Sequence, residues 1–383
     1  MFSSLISPSP PPPAPPVPKK VVVLGGTGHV GSYMLPRLVD AAEVAEVICI
    51  SRGQHEPYPA AAHASTAGQQ LDPRWSQVKR VVADREQTPD FVTQVVEMRP
   101  DVIIDMICFT PKQCKELVDA MLTVSPPLAA GVQLIHVGSI WAFGPSIAMP
   151  TTEEGPHGEP IADYGRNKRA IAEYLLRELK PANGAMRRTV LHPGHICGRG
   201  WPPLNPQGNF DPKVFLKLRK GESITLPNLG METVHHVHAD DVASAIIAAM
   251  RKPDASDGEA FNVVSPQALS LKGFAEHITA EIWPDAALSS DASMLEFLPI
   301  PSEAFTKACG GPGSADLSLE HVSHSPCCSG SKLERVLGCM PQWTSLAAVA
   351  DAVRWMDEQG VLQKIYFPGC YVVKRVSRNK LSL

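Results

Sequence analysis

Hydrophobic positions along this chain follow two rhythms: short unbroken runs, and stretches where an apolar residue returns every three or four positions. The run Val21–Leu24 is apolar at every position, as a strand covered on both faces must be, and such strands belong to buried parallel sheets. A helix at about 30–42 follows, then a second strand over VAEVICIS ending at Ser51, a third over VKRVVAD and a fourth over RPDVIIDMICF. A helix in the Cys114–Leu122 region and a strand over Val132–Val137 continue the series. Alternation of this kind through residue 191 predicts an α/β fold on a doubly wound parallel sheet. Gln54 to Gln77, rich in Ala, Pro and His, reads as a loop insertion, and from Pro193 onward Pro, Gly and Asn crowd WPPLNPQGNFDP.

The first strand runs directly into GGTGHVG, three spaced glycines at the start of a helix. Gly25 suits a tight turn, Gly28 a backbone that approaches a pyrophosphate, and Gly31 close packing of helix on strand, while Thr27, His29 and Val30 share the same turn. Helix N-termini attract anions through free N–H groups and the positive end of the dipole, so the segment predicts a Rossmann dinucleotide site. His29 is expected to pack near the pyrophosphate rather than to perform chemistry. At the end of the second strand, where NAD enzymes commonly carry an acid for the ribose 2′-hydroxyl, stand Ser51 and Arg52. A guanidinium suits a 2′-phosphate, so NADP is expected as cofactor, with NAD as the alternative.

Tyr164 and Lys168 stand one helical turn apart in YGRNK, with Ile171 and Leu175 continuing the apolar side of that helix. A nearby cation stabilises a phenolate and lowers the pKa of the phenol, which equips the pair to exchange protons with a hydroxyl or carbonyl. Ser139 lies just past the Val132–Val137 strand.

Together these segments resemble the extended short-chain dehydrogenase/reductase superfamily of NAD(P)-dependent epimerases, dehydratases and reductases. The resemblance covers about 20–345 and rests on GGTGHVG, HVGSIWAFG, YGRNK, HPGHICGRG, HVHADDVASAI and SGSKLERVLGCMPQW. It implies that Tyr164 is the acid/base, that Lys168 lowers its pKa and binds the nicotinamide ribose, and that Ser139 hydrogen-bonds the reacting oxygen. It further implies that Asp84 contacts the adenine, that Pro193 lines the nicotinamide, and that Trp141 and His195 face the substrate. The chain departs from the family's sugar-nucleotide dehydratases, which carry Asp-Glu where it has Ile140-Trp141. METVHHVH and LEHVSHSPCCSGSK lack the arginines that clamp a diphosphate in the epimerases, although Arg199, Arg219 or Lys217 offer substitutes.

The expected function is hydride transfer between the nicotinamide and a secondary alcohol or ketone of a small, non-nucleotide metabolite. Two alternatives stand beside it: an NAD-retaining epimerase or dehydratase acting on a sugar or sugar nucleotide, and a non-catalytic nucleotide- or RNA-binding regulatory protein. At 383 residues and 44% hydrophobic the chain can bury a large core, and a net charge of −4 gives no overall case for nucleic acid as a partner. Nine cysteines without paired metal spacing suggest reduced thiols and a cytoplasmic location. His235, His236 and His238 lack a convergent carboxylate or thiol, so no metal is expected, and Asp240 and Asp241 read as helix-capping and structural residues. No window is long and apolar enough for a membrane span, and a homodimer is left open. The expected division is a disordered Pro-rich tail at 1–18, a Rossmann domain at 19–192 with a returning segment at about 233–264, a substrate-binding part at 193–232 and 265–345, and a C-terminal helix and tail at 346–383.

Overall fold

The computed structural model describes residues 19–58, 71–180, 186–288 and 294–362. The Pro-rich tail, much of the Gln54–Gln77 stretch and the residues after 362 therefore lie outside the described residues. Within them, β1 (Lys19–Leu24), β2 (Val44–Ser51), β3 (Lys79–Val82), β4 (Val102–Asp105), β5 (Val132–Val137) and β6 (Met186–Pro193) enter one sheet. Short strands β7 (His195–Cys197), β8 (Ile224–Pro227), β9 (Thr233–Val234) and β10 (His236–His238) come next, and β11 (Glu259–Val263) returns to that sheet. Its order is β11-β6-β5-β4-β1-β2-β3, with every neighbouring pair parallel. The direction of winding reverses between β1 and β4, and in such sheets the crevice outside the strand C-termini at that point is where ligands bind.

The apolar run of β1 is explained by what covers it. Val21 and Val23 face one core, closed by Met34 and Leu38 of α1 (His29–Val39) and by residues such as Ile246 that follow β10. Val22 and Leu24 face the other, closed by Val95 of α2 (Phe91–Glu97), Leu117 of α3 (Pro111–Thr123) and Ile171 of α4 (Asp163–Glu173). The side chains of Val21, Val22, Val23 and Leu24 are fully buried, so each face loses water and gains packing, at about 25 cal/mol per Å² of apolar surface. Gly31 permits the tight seat of α1, because a Cβ there would lie 2.0 Å from the Gly26 carbonyl oxygen.

A separate core gathers after residue 196. Phe215 and Leu218 of α5 (Lys213–Arg219), Ile224 of β8, and Phe274 and Ile278 of the helix Leu271–Ile282 pack with Val349, Val353 and Met356 of the helix Ser345–Glu358. Against the reading of Asp240 and Asp241 as caps, α6 (Ala239–Arg251) is capped by the His238 side chain, which accepts from Asp240 N. The two acids occupy the first turn instead. Asp240 pairs with Arg37, and Asp241 accepts from Gln342 N and Trp343 N.

Candidate active site

The site sits where β5, the turn after it and α4 converge. Ser139 follows β5, and its Oγ accepts Trp141 N at 3.2 Å, starting the single turn Ile140–Phe143. Beneath it the buried His192 ring places Nδ1 3.0 Å from Ser139 O. Helix α4 crosses this turn closely, and a Cβ on Gly165 would lie 2.6 Å from Trp141 O. That approach brings Tyr164 to Ser139, whose hydroxyl interacts with the phenol. Tyr164 as a residue is 41% exposed. Its hydroxyl end is nevertheless crowded by protein, and this desolvation holds the phenol above its ordinary value while the Ser139 hydroxyl pulls the other way. Burial therefore sets the direction for this phenol, against the Ser139 hydroxyl.

Lys168 takes the opposite position, 2% exposed. Its Nζ donates to Cys108 O and to Val137 O, both at 2.8 Å, and lies 5.8 Å from the Tyr164 ring centroid. An ammonium has three N–H groups, so two such bonds leave one for a ligand. Burial lowers the Lys168 pKa to about 8, opposed by the nearby Cys108 and by Asp105 at the end of β4. Asp105 is itself locked, accepting from Arg85 Nη1 at 2.7 Å and from Ile107 N at 3.1 Å. This buried pair escaped the sequence reading, although a lone carboxylate ending the apolar run VIID was its visible signal.

The structure joins two residues named from sequence as substrate-facing: Trp141 Nε1 donates to His195 Nε2 at 3.5 Å. Two histidines not anticipated from sequence complete the wall. Trp141 stacks on His324 at 4.3 Å and meets His321 edge-on at 4.8 Å, both from the helix Pro312–His324, where they stand three apart on one face. Burial keeps His195 well below its ordinary pKa, lowers His321 to about 4 and lowers His324 as well. Arg199 and Arg219, named as substitute clamps, are both engaged in ion pairs. Arg199 pairs with Asp351 and Glu358, and Arg219 with Asp357 at 2.6 Å, so both guanidiniums tie to the helix Ser345–Glu358. Lys217 is exposed.

The glycine turn fits a dinucleotide. Gly25 has φ +87°, and the extended Gly28 precedes α1 without a capping side chain or an acid in the first turn. The N-terminal amides of α1, from His29, Val30 and Gly31, thus meet neither a side-chain cap nor a competing carboxylate. Thr27 and Val30 are buried in the turn. The His29 ring turns toward Arg199 O, 2.8 Å from Nε2, and packs with Trp201 and Tyr58. Ser51 ends β2 and Arg52 beyond it is exposed. Asp84 follows β3 by two residues and accepts Glu86 N in a local turn. Pro193 closes β6 opposite Val263. His235, His236 and His238 each have a separate acceptor, in Ser265 O, Leu204 O and Asp351, and no metal-holding group of ligands occurs among the described residues.

The family model described as NAD dependent epimerase/dehydratase family matches residues 21–263. The chain is 26% identical over 212 residues to dTDP-6-deoxy-L-talose 4-dehydrogenase (NAD(P)(+)) of Kitasatospora kifunensis, covering 55% of this chain and 62% of that protein. It is 25% identical over 260 residues to chloroplast stem-loop binding protein of 41 kDa b of Arabidopsis thaliana, covering 67% and 62%. The chain thus spans less than two thirds of the length of either relative. In structure it is similar to UDP-glucose 4-epimerase of Thermotoga maritima, with TM-score 0.61, 17% identity and coverage of 89% and 99%. It is also similar to dTDP-glucose 4,6-dehydratase of Bacillus anthracis, with TM-score 0.62, 15% identity and coverage of 90% and 98%.

Proposed function

Since the chain belongs to the NAD dependent epimerase/dehydratase family, we propose that it is an NADP(H)-preferring oxidoreductase acting on a secondary alcohol or ketone of a non-nucleotide metabolite. The observation that carries this reading is the meeting of Ser139 and Tyr164 over a buried Lys168. When bound, the nicotinamide supplies or accepts the hydride. Ser139 holds the reacting oxygen, and Tyr164 gives it a proton in reduction or takes one in oxidation. Lys168, with its remaining N–H, steadies the phenolate and the ribose. Asp105 keeps a negative charge near that ammonium, which favours its protonated form in spite of burial.

The non-nucleotide substrate is argued from charge. A diphosphate asks for bidentate arginines, and Arg199 and Arg219 are already paired with carboxylates. The epimerase reading draws on the sugar-nucleotide activities named for relatives, and it shares the same first step. A binding-only module, the reading that the Arabidopsis relative brings forward, has no physical need for a serine, tyrosine and lysine set in contact.

Mass spectrometry of the nucleotide that copurifies with the full chain, followed by exchange dialysis, tests the choice. Exchangeable NADP is expected, whereas NAD that resists exchange would overturn the reductase reading in favour of the epimerase.

A further inference from the structure

Among the described residues, aromatic side chains gather beside Ser139 and Tyr164. Trp141 is half-buried, edge-on to Tyr164 at 6.2 Å, with its indole N–H turned inward to His195. Its polar atom is therefore spent inside the protein, and what it offers the cleft is carbon. Behind it His321 and His324 donate their Nδ1–H groups to Leu317 O and Glu320 O, and burial keeps both rings neutral. Apart from the buried Lys168, two cations nearby are committed elsewhere. Arg166 bonds Asp163 and the carbonyls of Pro160 and Ile161, and Arg169 bonds Ala142 O, Gly158 O and Glu159. Ile161, three residues before Tyr164, is exposed, as are Ile147 and Met149 on the stretch that follows the Trp141 turn. A charged substrate would lose water here with only neutral imidazole nitrogens, such as the unpartnered His324 Nε2, to meet it.

We propose that the substrate carries a planar aromatic ring that lies against Trp141, with its carbonyl or carbinol at Ser139 and Tyr164: an aryl ketone or alcohol. This rests on the oxidoreductase reading above and adds the ring. Aromatic side chains pair with rings beyond simple burial, and the combined gain corresponds to about tenfold in affinity.

The test uses the full chain loaded with NADP(H) and three probes: acetophenone, 2-butanone and UDP-glucose. Calorimetric titration should show acetophenone binding about tenfold more tightly than 2-butanone, and NADPH oxidation should show the same preference in kcat/KM. Trp141→Ala should abolish the preference, mainly through KM, while Trp141→Phe keeps it; the phenylalanine variant also guards against a simple loss of fold. Tighter binding of UDP-glucose than of acetophenone overturns the proposal, as does a preference unmoved by Trp141→Ala. Equal reduction of 2-butanone and acetophenone removes the ring subsite and leaves the oxidoreductase reading intact. Acetophenone that binds through Trp141 while no ketone is reduced removes the oxidoreductase reading and keeps the subsite.

Discussion

Gly165 passes beneath Trp141 so closely that any side chain would collide with the Trp141 carbonyl oxygen, at 2.6 Å from an added Cβ. The contact sets the depth at which Tyr164 stands beside Ser139. Gly165→Ala must push α4 or the 140–143 turn outward, at a cost of about 1–3 kcal/mol in stability. Turnover should fall further than that loss predicts at temperatures where the variant is fully folded, because a displacement on the ångström scale costs about 10²-fold in an aligned site. Kinetics beside a thermal melt check this, and unchanged kcat with a lowered Tm would mean the contact matters for packing alone.

Replacing Tyr164 by Phe removes one oxygen and should leave dinucleotide affinity nearly intact. Turnover should drop about 10²–10⁴-fold, the range of general acid–base catalysis. Lys168→Ala should damage turnover and cofactor affinity together, since the same ammonium serves the phenolate and the ribose. Titration with NADP and a single-turnover assay separate the two effects.

Lys168 binds its proton less tightly in the fold, where its pKa is about 8, than at its ordinary 10.5. Below about 8 both folded and unfolded chains carry the charge, and burying it costs stability. As pH rises from about 8 to about 10.5 only the unfolded chain keeps the proton, so that cost fades and stability from this group climbs by up to ~1.4 kcal/mol per pH unit. Lys168→Met carries no titrating group there. The stability of the wild type minus that of the variant, from urea unfolding across this window, should therefore rise; a flat difference would contradict the placement of Lys168.

Arg52→Ala should weaken NADP by about 1.5–3 kcal/mol, the scale of a charged hydrogen bond, and barely change NAD. Paired titrations with the two nucleotides decide it. Equal losses, or none, would mean that Arg52 does not meet the 2′-phosphate.

The sheet was legible because local composition and tertiary burial agree. Val21 to Leu24 are apolar at every position, and each finds a core on its own side. That Tyr164 and Lys168 share one helix was legible from spacing, and Ser139, Trp141 and His195 were named by resemblance; the structure gathers them, and their roles stay a proposal. What spacing could not show is who pays for burial. The rise in the Tyr164 pKa, the Arg85–Asp105 pair and the two histidines behind Trp141 depend on segments brought together from 20 to 183 positions apart. Asp240 and Asp241 misled for a related reason: the backbone amide that a cap satisfies was already held by His238, and distant chain claimed both carboxylates.

Asp351 accepts Arg199 N, pairs with the Arg199 side chain and meets His238, while Arg199 O faces His29 at the glycine turn. A ribosome releases the glycine turn early and Asp351 more than three hundred residues later. The glycine turn, made early, thus acquires its final backing from the last helix among the described residues. A nascent chain stopped short of that helix holds a glycine turn whose outer wall has nothing behind it, so competence to hold a nucleotide should arrive late in synthesis rather than with the motif itself.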